Sequence, residues 1–232
     1  MSAAPPGLDL RLSGARVRFT TQADGDLGLT EPGEPDPVVA ANRMRLLDGL
    51  GLPAVVVGHQ IHEARVAVVG DARPGYLVGG ERSDGQATRL RGVGVGIHAA
   101  DCLPIALAGD GGVAMVHAGW RGLAGGVIAS GVDALRELGV VGPIDAVIGP
   151  GAGGCCYETG SEVRDALGGP DAPGEGRRVD LKEVARRQLS AAGVDVVRDV
   201  GICTLCAAPG LVFSHRRDGP ATGRHAGIVW RD

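Results

Sequence analysis

Six histidines and five cysteines are the side chains of this sequence best suited to bind a metal or to act as base and nucleophile. His59, His62, His98, His117, His215 and His225 are scattered, but several fall beside apparent strand ends, as does Cys102. Zinc favours imidazole and thiolate, and a catalytic zinc keeps three protein ligands with one open position. Spacing alone selects no ligand set here. The chain has no HExxH pattern, and its one CxxC, Cys203 to Cys206, lacks a second CxxC or a His pair in the sequence. A closed four-ligand site is therefore not expected at that motif.

These residues need elements to position them. Residues 36–52 are predicted to form a helix, with Asp36 as cap, Pro37 in the first turn and Gly49 or Gly51 at the end. The valine-rich stretch 54–69 reads as one long strand or two short ones. Residues 92–109 and 111–120 read as two strands joined at "GDGG". The stretch "MVHAGWRGLAGGV" (115–127) then hands a strand over to a helix. That helix places Leu123, Val127, Ala134 and Leu138 on one face and can end at Gly139. Its interior glycines cost roughly 1 kcal/mol each relative to alanine, so it needs tertiary packing. "IDAVI" is a short strand, 180–194 a helix, and "DVVRDVGICT" and "HAGIVW" late strands. "GEPDP" and "GGPDAPGEGRR" are Pro/Gly-rich loops, too short to link domains. Hairpin-ordered strands mixed with helices indicate an α+β fold with mixed sheets.

Composition narrows the function classes. The chain has 232 residues, 44% hydrophobic and 22% charged, enough for a substantial core. A net charge of −4 argues against a nucleic-acid binder held by a broad basic face. No run of 18 apolar residues suggests a membrane span. The first residues lack the basic-then-apolar pattern of a secretory signal. An odd number of cysteines at low density fits a reduced, cytoplasmic protein.

The segments "HQIH", "ADCLPI", "HAGWRGLAGGV", "IGPGAGGCCYE", "VDLK" and "CT…FSHRRDGPATGR" follow one another in this order. Together they resemble the YfiH/LACC1-type family, long labelled polyphenol oxidase or multicopper laccase. Its members are now described as zinc-dependent purine nucleoside phosphorylases with adenosine deaminase activity. The resemblance runs from about Asn42 to the C-terminus. It implies one catalytic domain over 1–232, a layered α/β sandwich of the YfiH/CNF1-like type. Adenosine, inosine and methylthioadenosine would be the substrates, with phosphate. It also implies a zinc held by His62, Cys102 and His117, a site that copper would also occupy in vitro. Ala99 stands where relatives usually have Thr, and His215 where they have Tyr. His59 should face away from His62, and His98 should share a face with Cys102 if their strand is regular.

A zinc of this kind makes water nucleophilic near neutral pH, which suits deamination. Asp101 is the nearest proton shuttle in sequence, or else a brace for the loop or a ligand histidine. Phosphorolysis needs an anion site built of arginines and a helix start. Arg121 fits best, with Arg43, Arg216 and Arg217 as further candidates. The loop "GPGAGGCCYE" allows close backbone approach, but without a P-loop lysine it predicts no ATP or NAD site. Cys155 and Cys156 would shape the purine pocket or fill core, and Trp120 and Tyr157 could stack on a base.

Four rivals stand beside this reading. Cys102 as nucleophile and His117 as base would make an amidase or deamidase without metal. His62 separates the two, because a three-ligand zinc needs it and a dyad does not. A muropeptide-precursor hydrolase is the role also attached to bacterial relatives. A zinc-stabilised scaffold without catalysis is the third. A laccase-type copper oxidase is disfavoured, since no His-x-His spacing occurs.

Overall fold

The computed structural model describes residues 7–28 and 36–232. In chain order the strands and helices are β1 (Leu8–Leu12), β2 (Ala15–Phe19), α1 (Pro37–Leu50), β3 (Ala54–His59), β4 (Val66–Val69), β5 (Gly75–Arg82) and β6 (Gly85–Thr88). Then follow β7 (Val93–Ala99), β8 (Leu103–Gly109), β9 (Gly112–Ala118), α2 (Trp120–Gly125), α3 (Val127–Glu137) and β10 (Ile144–Ile148). The last are α4 (Ser161–Ala166), α5 (Leu181–Ala191), β11 (Val196–Asp199), α6 (His215–Asp218) and β12 (His225–Arg231).

The strands form two six-stranded mixed sheets, ordered β1-β2-β12-β7-β3-β5 and β11-β10-β8-β9-β6-β4. In the first, β3 runs parallel to β5 and β7, while β12 is antiparallel to β7 and β2. In the second, β8 and β9 form an antiparallel hairpin, flanked by antiparallel β10 and β6. Strand β8 shows how the period of two builds the layers. Its Leu103, Ile105 and Leu107 pack outward against Val127, Ile128 and Leu135 of α3. Its Ala106 and Ala108 face inward, with Val95 and Ile97 of β7 and Val229 of β12. Helix α1 covers the other outer face, where Leu46 and Leu47 meet Val55, Val57 and Trp230. The result is an α+β sandwich of helix, sheet, sheet and helices.

Several sequence expectations hold. Asp36 caps α1 through a bond from the Val38 amide, and Gly51 ends it in the left-handed region. Asp180 caps α5. The 54–69 stretch is two strands, and they lie in different sheets. Two expectations need correction. Residues 92–109 are not one strand: the chain breaks at Ala100–Cys102, where Asp101 takes φ 99°, and β7 and β8 enter opposite sheets. The helix after His117 is also two pieces, α2 and α3, separated by Gly126 at φ 86°. Of the loop "GEPDP", residues 33–35 lie outside the described residues. Among those described, no helix is long and apolar enough to cross a membrane.

Candidate functional site

Three passages between the sheets bring the chemistry together. His62 lies between β3 of the first sheet and β4 of the second. Asp84 lies between β5 and β6, and Cys102 between β7 and β8, with the same change of sheet. His117 arrives on β9, paired with Pro104 across the hairpin. The donor atoms of His62, Cys102 and His117 all lie within 4.8 Å of one another. A tetrahedral zinc at 2.0–2.3 Å from N and S donors spaces them roughly 3.3–3.8 Å apart, so modest side-chain rotation closes the site. Two imidazoles and a thiolate are a donor set that zinc prefers.

Asp84 organises this group. Its side chain accepts the backbone amides of Ile61, His62 and Glu63 at 3.1, 2.9 and 2.8 Å. Those bonds hold His62 at φ 62°, a conformation that side chains other than glycine adopt at a cost of order 1–2 kcal/mol. The same carboxylate, fully buried, accepts from His117 Nδ1 at 2.8 Å. That fixes the tautomer and leaves Nε2 as the ring atom free for a ligand. Burial opposes the Asp84 charge, but the His117 ring and the Glu63 and Ile61 amides outweigh it and hold its pKa below the usual carboxylate value.

Cys102 and His117 polarise each other. Burial disfavours the thiolate, yet the charge and hydrogen bond of His117, with help from His62, bring Cys102 down to about 6. Burial likewise opposes charge on His117, but Cys102 and Asp84 raise it to about 9. A thiolate beside an imidazolium is ready to exchange its proton for a metal ion. It also suits a nucleophile and base.

Space around the thiolate is limited. A Cβ on Gly119 would sit 2.8 Å from Cys102 Sγ and 3.5 Å from His62 Cδ2. Gly119→Ala is therefore expected to push Cys102 out of line and lower metal affinity at least about 10-fold, with a small change in fold stability. Zinc titration against a competing chelator reads this directly, and unchanged affinity would show that the contact is tolerated.

A cavity of about 430 Å³ opens beside the three donors, within the ~300–1,000 Å³ usual for small-molecule sites. Asp101, Tyr157, His215, Arg216 and Arg224 line it. Asp101 accepts from Thr204 Oγ1 (2.6 Å), Ser214 Oγ (2.7 Å) and the Arg216 amide (2.7 Å). It thereby ties the β7–β8 break to the 200–224 segment. Arg216 lies 5.0 Å over the Tyr157 ring and donates to the Glu158 carbonyl. His98 is buried on the cavity wall, bridged to Gln60 through both its backbone groups and to the Tyr76 hydroxyl through Nε2. Burial, then the arginines 43 and 224, push its pKa down to about 3, so the ring is neutral.

The structure thus gathers His62, Cys102, His117, Asp101, Tyr157 and Arg216 around one cavity. Five other sequence candidates lie elsewhere. Arg43 is buried under Tyr76, donates to the Leu27 and Gly28 carbonyls and lines a separate 610 Å³ depression. Arg121 is exposed, already within α2, with its guanidinium 4.2 Å over Trp120. Trp120 packs against the helical side of the second sheet. Arg217 spends its donors on Asp218 and the Thr204 and Val212 carbonyls. Cys155 is exposed, away from the cavity wall, in a cluster with Cys156, Cys203 and Cys206. There the Cys203–Cys206 turn meets the adjacent Cys155 and Cys156, a partner pair that spacing in the sequence does not show. His98 and His215 line the cavity without joining either donor group, and His59 ends β3 exposed.

Sequence reasoning missed Asp84, Gln60, Tyr76, Thr204, Ser214 and Arg224. "RSDGQ" around Asp84 reads as an ordinary turn. The only pointer was that a ligand histidine needs a carboxylate or carbonyl on its second nitrogen.

Comparison with known proteins places this geometry. A purine nucleoside phosphorylase of Corynebacterium glutamicum is 35% identical over 96% of this chain and 97% of its own length. The crystal structure of YlmD from Geobacillus stearothermophilus matches with TM-score 0.86 and 32% identity, covering 100% of this chain and 98% of that one. The Bacillus licheniformis protein YfiH matches with TM-score 0.82 and 29% identity, covering 94% and 93%. The sequence profile described as "Multi-copper polyphenol oxidoreductase laccase" matches residues 19–232. With the match spanning β3 to β12 and every residue around the cavity, the chain belongs to this family, that of YfiH.

Proposed function

We propose that this protein is a purine nucleoside phosphorylase that cleaves adenosine, inosine and methylthioadenosine with phosphate, and that it also deaminates adenosine in a zinc-dependent manner. The near full-length similarity to a relative bearing the phosphorylase name supports the first activity. The convergence of two imidazoles and a thiolate on the cavity supports the second. His62, Cys102 and His117 would hold the zinc, His117 through Nε2. When bound, the ion supplies Lewis-acid chemistry at neutral pH. Copper would bind the same donors in vitro, but three donors on one cavity are a mononuclear set, which argues against laccase chemistry.

The chain's own residues do the rest. Asp84 keeps His117 in one tautomer and His62 in its turn. Tyr157, with Arg216 over its ring, offers a flat face for the base. Arg216 and Arg224 supply positive charge for phosphate at the cavity wall. Asp101, with three donors on its carboxylate, acts as a brace for that wall more readily than as a shuttle. Five free thiols fit a cytoplasmic setting.

The test is release of hypoxanthine from inosine by the zinc-loaded protein, with and without phosphate. Phosphate-dependent release is expected. No free base from inosine or adenosine would end the phosphorylase reading. The polarised Cys102–His117 pair favours one second reading, a metal-free amidase or deamidase. It predicts a His62→Ala protein that stays active without metal.

A further inference from the structure

Away from the donors at the cavity, four more sulfurs meet. The Sγ atoms of Cys155, Cys156, Cys203 and Cys206 all lie within 4.8 Å of one another, and Cys155 and Cys206 are 3.8 Å apart. All four are free thiols. A disulfide would need about 2.05 Å, whereas four thiolates around a zinc at 2.3 Å stand about 3.8 Å apart along each tetrahedral edge. The spacing is that of ligands around an ion.

The backbone is arranged for the same purpose. Cys203 and Cys206 sit on a tight turn. The amides of Leu205 and Cys206 point back at the Cys203 sulfur, and the Gly153 amide donates to it at 3.3 Å. Such N–H groups stabilise and orient a ligating thiolate. The other pair rides on the turn where Cys156 and Tyr157 donate to the Gly153 carbonyl. A Cβ on Gly153 would meet Cys203 Cβ at 3.1 Å and the Cys203 and Cys155 sulfurs at 3.3 Å, so glycine gives the two pairs the most room to converge. The segments are already stitched by Gly151–Ile202 and Thr204–Gly151 backbone bonds.

We propose that these four cysteines form a second, closed metal site that takes one thiophilic divalent cation, zinc, as a structural staple. Four protein sulfurs leave no open position, so the ion takes no part in the reaction. Its work is mechanical. It joins the loop that carries Tyr157 to the loop whose Thr204 holds Asp101 and whose continuation carries Arg216. Both are walls of the cavity.

The test is metal stoichiometry on the full chain purified under reducing conditions with zinc. Two equivalents per chain are expected, one in Cys203→Ser/Cys206→Ser, and one in Cys102→Ser. Cobalt provides a readout independent of activity and of variants that fold poorly. Cobalt-loaded Cys102→Ser protein should show the intense thiolate-to-cobalt charge-transfer absorption, and adding Cys203→Ser and Cys206→Ser, which leaves two of the four sulfurs, should remove most of it. Equal zinc content in wild type and Cys203→Ser/Cys206→Ser would overturn the proposal. So would the lack of thiolate absorption in cobalt-loaded Cys102→Ser, or recovery of the four sulfurs as disulfides. None of these outcomes bears on whether inosine is cleaved.

Discussion

Replacing Cys102 by serine is expected to lower kcat/KM for adenosine deamination by at least about 10³-fold, ~4 kcal/mol of transition-state stabilisation. Cys102 is the anionic member of the donor set, and His117 and His62 together hold its thiol at about 6. A serine hydroxyl keeps its proton at that pH and offers a poor donor to zinc. The change also strips His117 of the largest influence raising its pKa, leaving Asp84 as its partner. The cavity wall carried by Tyr157 and Arg216 should stay in place, because Asp101 and the Glu158 carbonyl hold Arg216. Metal content and activity measured on the same sample decide the matter, with a melting curve as control. A metal-free Cys102→Ser protein with undiminished deamination would remove zinc from the reaction.

Asp84→Asn should be nearly as damaging, though Asp84 touches no substrate. One carboxylate accepts from three consecutive amides and from His117 Nδ1. An amide side chain must turn an NH₂ toward at least one of these donors. Zinc affinity is expected to fall about 10–100-fold, as for other outer partners of ligand histidines. Unfolding free energy measured in chelator should drop by about 1–3 kcal/mol, the cost of a buried donor left unpaired. The signature of positioning is that excess zinc restores much of the activity without restoring the chelator-state stability. If both affinity and stability match wild type, Asp84 does not organise the site.

Local pattern revealed the parts of the fold governed by period and capping. The β8–β9 hairpin, α1 with its Asp36 and Gly51 ends, and α5 with Asp180 all follow from short-range chemistry. The break at Ala100–Cys102 did not, because alternation of apolar residues continues through it and only the left-handed Asp101 shows the turn. The three candidate metal donors came from resemblance rather than from spacing, since they are 40 and 15 residues apart and meet only after five changes of sheet. Arginines were the least legible class. Arg43, Arg121 and Arg216 look alike in sequence, and only burial and stacking distinguish a core strut from a surface side chain and a cavity wall. The cysteine cluster was hidden for a related reason: its two pairs, 155–156 and 203–206, join across a tertiary contact.

The repeated passage from one sheet to the other also governs how the protein assembles. No single sheet contains the donor set, since His62 and Cys102 leave the first sheet as His117 arrives from the second. The proposed zinc pocket is therefore unfinished until the two layers have docked in register. Binding and docking become one linked equilibrium, and free zinc at 100 times its Kd adds about 2.7 kcal/mol to the docked state. During folding, ion capture would mark the final consolidation step, and a chelated chain would breathe first along the seam between the layers.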